Sequence, residues 1–588
     1  MTSAQQYIEC DILVVGGGLG GTAAAVRAAR MGYRVCLTEE TYWIGGQCTS
    51  QGMAALAEPP TIESFGGTAA YCEFRDRVRT IYLDNYSLST AAQSTPYLNP
   101  GAGWASRLCF EPRVGLAALL YMVVPEIEAG RLEIFYGARV QEAEIQNETV
   151  RSVSVAQPDY DRLLHFSCTY VLDATELGDL LPLLDIPYVV EDETDEAHAG
   201  PDGPAPELVH PFTFPFALDF RPGEDHTIAK PANYENNRDN QPYATTVNCN
   251  GNEQDFNFFE VANGSPGAFW THHRIFAAEN FVDAAHDLIV VNWPGNACKT
   301  DNIIDTPAAQ RTDALQRAKD LSLGLLYWLQ TEVRRDDGNG RGYPELRLRG
   351  DILGTDDGLS QHPYIRTSRR IKARKTVREQ DISAADQTGA RAAFFADSIG
   401  LGYGPDAMFN VLGDGARTIP TRPFQIPLGA FIPQGVTNLL PACKNIGTTH
   451  ITQSYYHPHS TEWNIGEAAG ALAAFCLGQH QTPTAVYDKA DLRRQFQVQL
   501  LELGVPLYWY EDMPSGHPAA SACQLLAQTA IWPGASDHLL FNPDKTVEAR
   551  EMVRLLEIAG LPPDVLGAEK KSRAELARCI ADLKFALS

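Results

Sequence analysis

The chain has 588 residues, of which 44% are hydrophobic and 20% are charged, an ordinary globular composition that excludes disordered and fibrous proteins. Its 47 Lys and Arg residues stand against 73 Asp and Glu residues, so the formal net charge is −26. Because a nucleic-acid-binding protein usually carries a basic face, a nucleic-acid partner is not expected.

Membrane and secretory segments are not expected either. The apolar run at 117–124 is far shorter than the roughly 20 residues of a membrane span. Residues 1–10 are polar and lack the basic, apolar and cleavage regions of a secretory signal. The 12 cysteines are scattered without a CxxC pair, which favours reduced thiols over disulfides or a zinc site. Together these features predict a cytoplasmic protein.

The first predicted element is a βαβ unit. Residues 11–15 form a short apolar run typical of a buried parallel strand. A glycine-rich turn at 16–21 leads into an alanine-rich helix that ends at Gly32, and residues 34–38 form the second strand.

The glycine-rich turn has the spacing of a dinucleotide-binding loop. Gly16 permits the tight turn, Gly18 lets the backbone approach a pyrophosphate, and Gly21 lets the helix pack closely on the sheet. The phosphate then lies at a helix N-terminus, where free N–H groups attract anions. Glu39 ends the second strand, which is the place of a carboxylate that bonds the adenosine ribose.

Further along, strands and helices alternate. Residues 132–136 and 150–155 alternate like strands of an antiparallel layer, and 169–174 has a buried-strand pattern. Residues 190–245 are rich in proline and polar residues, notably 200–206, and predict a long loop that enters another domain. Residues 311–335 form an amphipathic helix.

The C-terminal part carries four further patterns. A basic cluster occupies residues 366–378, and strand-and-turn character returns at 424–442. Residues 466–476 predict a helix of small residues. The last hundred residues are mostly helical and predict a separate appendage.

The segment after Glu39 resembles the glutathione-reductase-type flavoproteins with two dinucleotide-binding motifs. In them a Gly-Gly pair, here Gly45 and Gly46, runs along the flavin. The resemblance implies that Gln47 and Gln51 make polar contacts to the flavin ring. Disulfide reductases of this class have two cysteines here, whereas this chain has Cys48 and Met53, so disulfide reduction is not expected. Cys48 is interpreted as a packed thiol.

Two later segments resemble further parts of the same class. Ala174, Thr175 and Glu176 resemble the Ala-Thr-Gly turn that passes the FAD, with glutamate in place of glycine; a strand end with a helix cap is the alternative. Residues 437–450 and 462–470 resemble the second flavin-binding segment, in which a helix N-terminus points at the flavin and stabilises negative charge on it. Lys444 and Asn445 stand where the class usually has an aspartate.

These segments, with residues 43–47 and 364–371, resemble the family of FAD-dependent oxidoreductases that contains relatives of the flavin subunit of heterodisulfide reductase. The implied fold is α/β, with a Rossmann-like FAD-binding domain, an inserted α+β substrate or cap domain and a helical C-terminal appendage. The expected division is FAD-binding domain 1–190 and 415–485, cap 191–414 and appendage 486–588.

The resemblance implies FAD as cofactor, with Asn464, Ile465 and Gly466 as backbone donors to the flavin ring. The full set of implied cofactor contacts is Gly16, Gly18, Leu19, Gly20, Gly21, Glu39, Glu40, Gly45, Gly46, Gln47, Gln51, Gly52, Val140, Ala174, Thr175, Glu176, Asn445, Asn464, Ile465 and Gly466.

The catalytic candidates are histidines and arginines. His450, His457 and His459 precede the second flavin segment, where one of them is predicted to take the substrate proton as a hydride leaves. Ordinary loop or core histidines are the alternative, and no carboxylate pattern supports a metal site. The pair His272 and His273 is interpreted as ordinary.

Three arginines of the basic cluster form the second group of candidates. Arg366, Arg369 and Arg370 could bind a substrate carboxylate through bidentate contacts, or form a solvated basic face. The sequence leaves these two interpretations open.

No second strand–GxGxxG–helix unit is found, so a built-in NAD(P)H domain is not expected. The predicted reaction is hydride transfer from a small organic substrate to non-covalent FAD, which oxygen or an external acceptor reoxidises. A flavin monooxygenase served by a separate reductase and a flavin-binding scaffold protein are the alternatives.

The tail carries one more resemblance. Residues 509–519, 531–543 and 547–551 resemble a single degenerate S-layer homology unit. We expect a packing or partner module rather than a wall anchor, so the appendage is the predicted surface for a homo-oligomer or a protein partner.

Overall fold

The computed structural model describes residues 4–190, 211–405, 409–411, 415–514, 516–567 and 569–585, with residues 409–411 and 415–416 described by their backbone only. The proline-rich segment 200–206 lies outside these ranges. The prediction of a long loop over 190–245 is wrong for its described part 211–245, which contains strands at Phe212–Thr213 and Phe216–Phe220 and a helix at Tyr234–Asn240.

The strands are β1 Ala4–Val15, β2 Val35–Thr38, β3 Leu132–Phe135, β4 Arg139–Gln146, β5 Thr149–Gln157, β6 Arg162–Asp173, β7 Tyr188–Val189, β8 Phe212–Thr213, β9 Phe216–Phe220, β10 Thr246–Cys249, β11 Asn252–Asp255, β12 Arg274–Phe276, β13 Leu288–Val291, β14 Ala297–Cys298, β15 Leu346–Leu348, β16 Arg370–Ile371, β17 Ser398–Gly402, β18 Phe409–Val411, β19 Gly415–Arg417, β20 Phe424–Pro427 and β21 Leu439–Pro441.

The helices are α1 Leu19–Arg30, α2 Ala69–Asn85, α3 Thr90–Gln93, α4 Pro112–Glu128, α5 Leu180–Leu183, α6 Tyr234–Asn240, α7 Ala308–Thr331, α8 Gly350–Leu353, α9 Glu379–Ile382, α10 His450–Tyr456, α11 His459–Gln479, α12 Pro483–Asp488, α13 Ala490–Glu502, α14 Ala520–Gln528, α15 Ala549–Ala559 and α16 Arg573–Phe585.

The main sheet has the order β3-β2-β1-β6-β5-β4, and β21 pairs with the second half of β6. β1 pairs in parallel with both β2 and β6. The register places Val15 opposite Asp173, so β1 and β6 end at the same edge. This register brings the turn after β1 and the turn after β6 together, and the predicted α/β class with a parallel-sheet core is confirmed.

The antiparallel assignment of residues 132–136 is wrong. They form β3, which pairs in parallel with β2 at the edge of the main sheet. An edge strand alternates because one of its faces is exposed, so the alternation alone does not distinguish parallel from antiparallel pairing. The assignment of 150–155 is confirmed, because β5 pairs antiparallel with β4 and β6.

Helix α11 packs directly on α1. A Cβ at Gly466 would overlap the backbone of Gly20, and a Cβ at Gly470 would overlap the carbonyl of Ala24. The backbones of the two helices therefore approach as closely as glycine allows. This contact joins the start of the chain to a segment more than four hundred residues later.

The hydrophobic side chains form several clusters. One is built from residues between 212 and 365, together with Leu177, and includes strands β8, β9 and β13 and helix α7. The largest contains α1 and α11 and also takes in Val377, Ile399 and residues of α13 to α16. The tail therefore shares the largest core. The proposed domain boundaries stay a prediction, and so does the S-layer resemblance.

No helix in the described ranges combines the length and the apolar character needed to cross a membrane.

Candidate functional site

A cleft opens where β1 and β6 end. It collects many of the sequence-predicted residues, and Arg311 of α7 and His362 reach it from the second part of the chain. The predicted residues that line it are Gly16, Gly18, Glu39, Glu40, Gly46, Gln51, Val140, Ala174, Thr175 and Glu176.

The glycine-rich turn has the geometry that its spacing predicts. Gly16 has a φ of 103°, and a Cβ there would overlap the carbonyl of Ala174. A Cβ at Gly21 would overlap the carbonyl of Gly16, so only glycine allows α1 to pack on this turn. Gly18 is the N-cap of α1, Leu19 is its first residue, and its first turn contains no acidic residue. The start of α1 is thus suited to an anion.

Glu39 lies beside this turn at the end of β2. Its Oε2 accepts a hydrogen bond from the N–H of Gly17 at 3.0 Å, and its Oε1 accepts one from the N–H of Thr41 at 2.8 Å. Burial raises the pKa of Glu39 to about 7, although the bonds from Thr41 act in the opposite direction. Glu40 lines the cleft and approaches Arg139 at 3.2 Å.

The predicted flavin-contacting segment runs from Gly45 to Met53. Gly45, with a φ of 104°, donates its N–H to the carbonyl of Gly17 at 2.8 Å, which joins this segment to the glycine-rich turn. Gly52 also has a positive φ, of 77°. Gln51 accepts a hydrogen bond from the N–H of Ile365 at 3.3 Å. The segment therefore lies between the cleft and residues 362–366.

Gln47 and Cys48 are both buried in this segment. The Nε2 of Gln47 donates to the carbonyl of His457 at 2.9 Å and to Glu462, while its buried Oε1 has no partner among the described residues. The thiol of Cys48 donates to the carbonyl of Gly45 at 3.4 Å, and burial raises its pKa. Cys48 is thus a protonated, packed thiol.

Glu176 and Lys444 form an ion pair that the sequence did not indicate. The Nζ of Lys444 lies 2.5 Å from Oε2 of Glu176 and 3.8 Å from Oε2 of Glu462. Burial acts to lower the pKa of Lys444, but Cys443, Glu176 and Glu462 raise it well above its usual value. Glu176, which stands where the class usually has glycine, therefore neutralises Lys444, which stands where the class usually has aspartate.

We expect Lys444→Met to lower the free energy of unfolding of the apoprotein by about 3–5 kcal/mol, because it leaves buried carboxylates without their countercharge. Urea titration followed by circular dichroism measures the change. Lys319→Met is the matched control, because Lys319 pairs with Asp357 at 2.7 Å on the surface, where about 0–1 kcal/mol is expected. Equal losses in the two variants would contradict the role of the buried pair.

Asn445 holds the polypeptide chain through its side-chain amide. Its Nδ2 donates to the carbonyl of Asp173 at 3.0 Å, and its Oδ1 accepts from the N–H of Cys443 at 3.3 Å. Each end of the amide makes one bond within the chain and keeps a second bonding position, so the predicted contact from Asn445 to the cofactor stays a prediction. Thr175 is held similarly, since Oδ1 of Asp173 accepts its N–H at 3.1 Å and its hydroxyl at 2.7 Å.

The prediction that Asn464, Ile465 and Gly466 donate backbone N–H groups to the flavin is wrong. Helix α11 begins at His459, so these three residues lie in its second turn, where each N–H bonds the carbonyl four residues earlier. Gly466 instead allows the close contact with α1. Gly20, a residue of that contact, donates its N–H to Oε1 of Glu462 at 3.3 Å.

His459 is not available as a catalytic base. Its Nδ1 accepts the N–H of Ala57 at 3.0 Å, and its Nε2 donates to the carbonyl of Met53 at 3.0 Å. Burial lowers its pKa to about 4, so the ring is neutral. His459 therefore fixes the chain that follows the flavin-contacting segment.

His457 differs from the other two candidates. Its buried Nδ1 has no partner among the described residues. Burial and the charges of Arg366, Lys444 and His459 lower its pKa to about 3, which keeps the imidazole neutral. His450 is the first residue of α10, at the other end of that short helix and about 10 Å away by helix rise.

His273, interpreted from sequence as ordinary, belongs to the same neighbourhood as His457. Its Nδ1 is also buried without a partner in the described part of the chain, and burial together with His459 and Arg366 lowers its pKa to about 4. The adjacent His272 and His273 were visible in the sequence, but only the fold brings His273 close to Arg366 and His459.

The predicted arginines have different surroundings. Arg369 is buried and pairs with Asp179 at 3.0 Å and Asp305 at 2.9 Å, so its charge is already neutralised. Arg370 is fully buried and donates to Oε1 of Gln453 at 3.2 Å. A solvated basic face is therefore wrong for both, and Arg369 is not free to bind a substrate carboxylate.

Comparison with known proteins agrees with this architecture. A family model described as FAD dependent oxidoreductase matches residues 11–500. Dihydrolipoyl dehydrogenases of human and bovine mitochondria are each 39% identical over 51 residues, which is 9% of this chain and 10% of theirs. The match thus spans about a tenth of the length of these curated relatives.

Solved structures are similar at low identity. A single-residue variant of the E. coli quinol fumarate reductase subunit FrdA is 12% identical, with a TM-score of 0.33 over 98% of this chain and 86% of that one. The anhydrotetracycline hydroxylase OxyS of Streptomyces rimosus is 14% identical, with a TM-score of 0.24 over 63% and 55% of the two chains. The family match over most of the sequence is the finding that decides: the chain belongs to the FAD-dependent oxidoreductase family, and FAD is its cofactor.

Proposed function

We propose that this protein oxidises a small organic substrate by transferring a hydride to FAD held in the cleft at the sheet edge. The observation that carries the proposal is that one segment of the chain, residues 45–53, connects the cleft to a buried group of polar side chains around His457. Gly46 and Gln51 line the cleft beside Gly16 and Gly18, and Gln47 of the same segment donates to the carbonyl of His457 at 2.9 Å. A cofactor binding region and a reaction site thus adjoin.

The residues fit the cofactor. The start of α1, whose N-cap Gly18 has no side chain, suits a pyrophosphate, although the N–H of Gly20 donates to Glu462. Glu39 suits a ribose hydroxyl. The cleft is lined along its length by Val140, Ala174 and Thr175. Gln47 Oε1 and Glu176 Oε1 are buried without partners in the described residues, as polar atoms that face a ligand would be. These residues would hold the FAD.

When bound, FAD supplies the two-electron acceptor that takes a hydride from a C–H bond of the substrate. The chain supplies the proton acceptor, since a neutral imidazole with an unpartnered Nδ1 can take the proton of the neighbouring O–H or N–H group. Reoxidation by oxygen or an external acceptor completes the turnover.

An anaerobic screen tests the proposal. The FAD-loaded protein is mixed with alcohols, amines, 2-hydroxy acids and amino acids, and the visible flavin absorbance is followed. Loss of absorbance with a defined compound, and recovery of the oxidised product, supports a dehydrogenase or oxidase. A flavin that no compound reduces would favour a scaffold protein. Oxygen incorporated into the product would indicate a monooxygenase.

We expect the FAD to be bound without a covalent bond. Histidine is absent before His165, and Cys48 is the thiol next to the Gly-Gly pair. Because the Cys48 thiol is buried with a raised pKa, it lacks the thiolate that would attack a flavin. Acid precipitation should release all the flavin into the supernatant. Flavin that stays in the pellet of the wild type, but not of Cys48→Ala, would overturn this prediction.

A further inference from the structure

We infer that Arg366 binds a carboxylate group of the substrate, so that the substrates of this protein are small organic monoacids or acids presenting one carboxylate to this site. The inference rests on the proposed function, because it assigns the substrate class of the same site. It starts from the surroundings of the guanidinium group.

The hydrogen-bond partners of Arg366 in the described part of the chain are all neutral. It donates to the carbonyl of Pro211 at 2.6 Å, to the hydroxyl of Thr213 at 3.1 Å and to Oδ1 of Asn292 at 3.0 Å. Within the described residues, no carboxylate lies within ion-pair distance of it. Three fixed acceptors orient the guanidinium without neutralising it.

Several other enclosed arginines of this chain have a countercharge. Arg27 pairs with Glu467, Arg75 with Glu58 at 2.7 Å, and Arg369 with two aspartates. A buried charge without a partner is strongly unfavourable. Arg366 has no such carboxylate partner among the described residues, and an anion that binds there would supply a countercharge.

The two histidines beside Arg366 add no charge to its site. His273 and His457 both have lowered pKa values to which Arg366 contributes, so they add hydrogen-bonding groups without adding charge. The ring of Tyr364 lies under the guanidinium, with 4.7 Å between the ring centre and Cζ. One guanidinium neutralises one negative charge, which suits a carboxylate better than a phosphate dianion.

The position of Arg366 relates this charge to the reaction site. Asn292, which accepts from Arg366, donates to the sulfur of Met53 at 3.1 Å, and Met53 ends the segment that begins at the Gly-Gly pair. The rings of Tyr364 and His457 are 6.5 Å apart. A carboxylate on Arg366 therefore places the rest of a small acid between His457 and the segment predicted to contact the flavin.

Titration of the FAD-loaded protein tests the inference with defined probes. Acetate, propionate and lactate should perturb the visible flavin spectrum with saturation, whereas acetamide and propionamide at equal concentrations should not. Inorganic phosphate should bind more weakly than acetate. Equal responses to acetate and acetamide, or binding of phosphate that is tighter than binding of acetate, would overturn the inference. Both outcomes can be measured on the wild-type protein without any variant.

Two variants assign the effect to the residue. Arg366→Met should weaken acetate binding by about 10²-fold or more, the size expected when a charged hydrogen-bond donor is lost, and Arg366→Lys should retain part of it. Arg113→Met is the matched control, because Arg113 is exposed and stacks on Trp43 at 5.1 Å. Wild-type acetate affinity in a folded Arg366→Met variant would overturn the assignment.

The outcomes separate this inference from the proposed function. If a neutral compound reduces the flavin while carboxylates neither bind nor react, the proposed function holds and the inference is wrong. If acetate binds through Arg366 but no acid or other compound reduces the flavin, the inference holds and the proposed function is wrong.

Discussion

Replacing Gly18 with valine is expected to abolish FAD binding while leaving the chain folded. A Cβ at Gly18 would lie 2.6 Å from Oε1 of Glu176, the far end of a flexible side chain that can turn aside. The fold therefore tolerates the new side chain. The isopropyl group then fills the space in which a pyrophosphate must approach the backbone at the start of α1.

The measurement for Gly18→Val is FAD titration of the apoprotein, with circular dichroism as the check of folding. Gly516→Val is the matched control, since Gly516 is exposed in a turn and a Cβ there meets nothing within 4 Å. A folded Gly18→Val protein with wild-type FAD affinity would mean that the pyrophosphate binds elsewhere.

Replacing His457 with glutamine is expected to slow substrate reduction of the flavin by about 10²–10⁴-fold, with FAD content unchanged. The reason is the loss of the only proton acceptor among the three candidate histidines whose Nδ1 is buried and unpartnered in the described chain. A pKa of about 3 makes His457 a weak base in the free protein. Besides burial, Arg366, Lys444 and His459 lower this pKa. An anion bound beside Arg366 offsets the contribution of Arg366.

Anaerobic stopped flow with the substrate found by the screen measures this rate. His480→Gln is the control, because His480 is exposed at the end of α11. An unchanged rate of flavin reduction in His457→Gln would exclude His457 as the proton acceptor.

The part of the site near the start of the chain was predictable because it depends on local spacing. Gly16, Gly18 and Gly21 lie within one turn, and the structure shows a steric reason for glycine at Gly16 and Gly21. Glu39 follows from the end of the next strand. These residues needed no knowledge of distant contacts.

The C-terminal part was less predictable because helix boundaries and long-range pairs decide it. Helix α11 begins just after Pro458, which lies close to the first-turn position that proline favours. The resemblance instead placed the backbone donors to the flavin at 464–466, several residues after this start. Lys444 and Glu176 each departed from the family pattern, but 268 positions separate them, so only the fold shows that they compensate each other. The bonds of both His459 nitrogens to the backbone are equally invisible in sequence.

The contact of α1 with α11 has a consequence for synthesis on the ribosome. The N–H of Gly20 donates to the carboxylate of Glu462, which is synthesised 442 positions later, and the small-residue face of α1 packs on α11, which contains Glu462. At about 5–20 residues per second, this interval lasts about 20–90 s. During that time the nascent βαβ unit carries an uncovered apolar helix face, so it is a natural client for a chaperone that holds apolar surface until translation is complete.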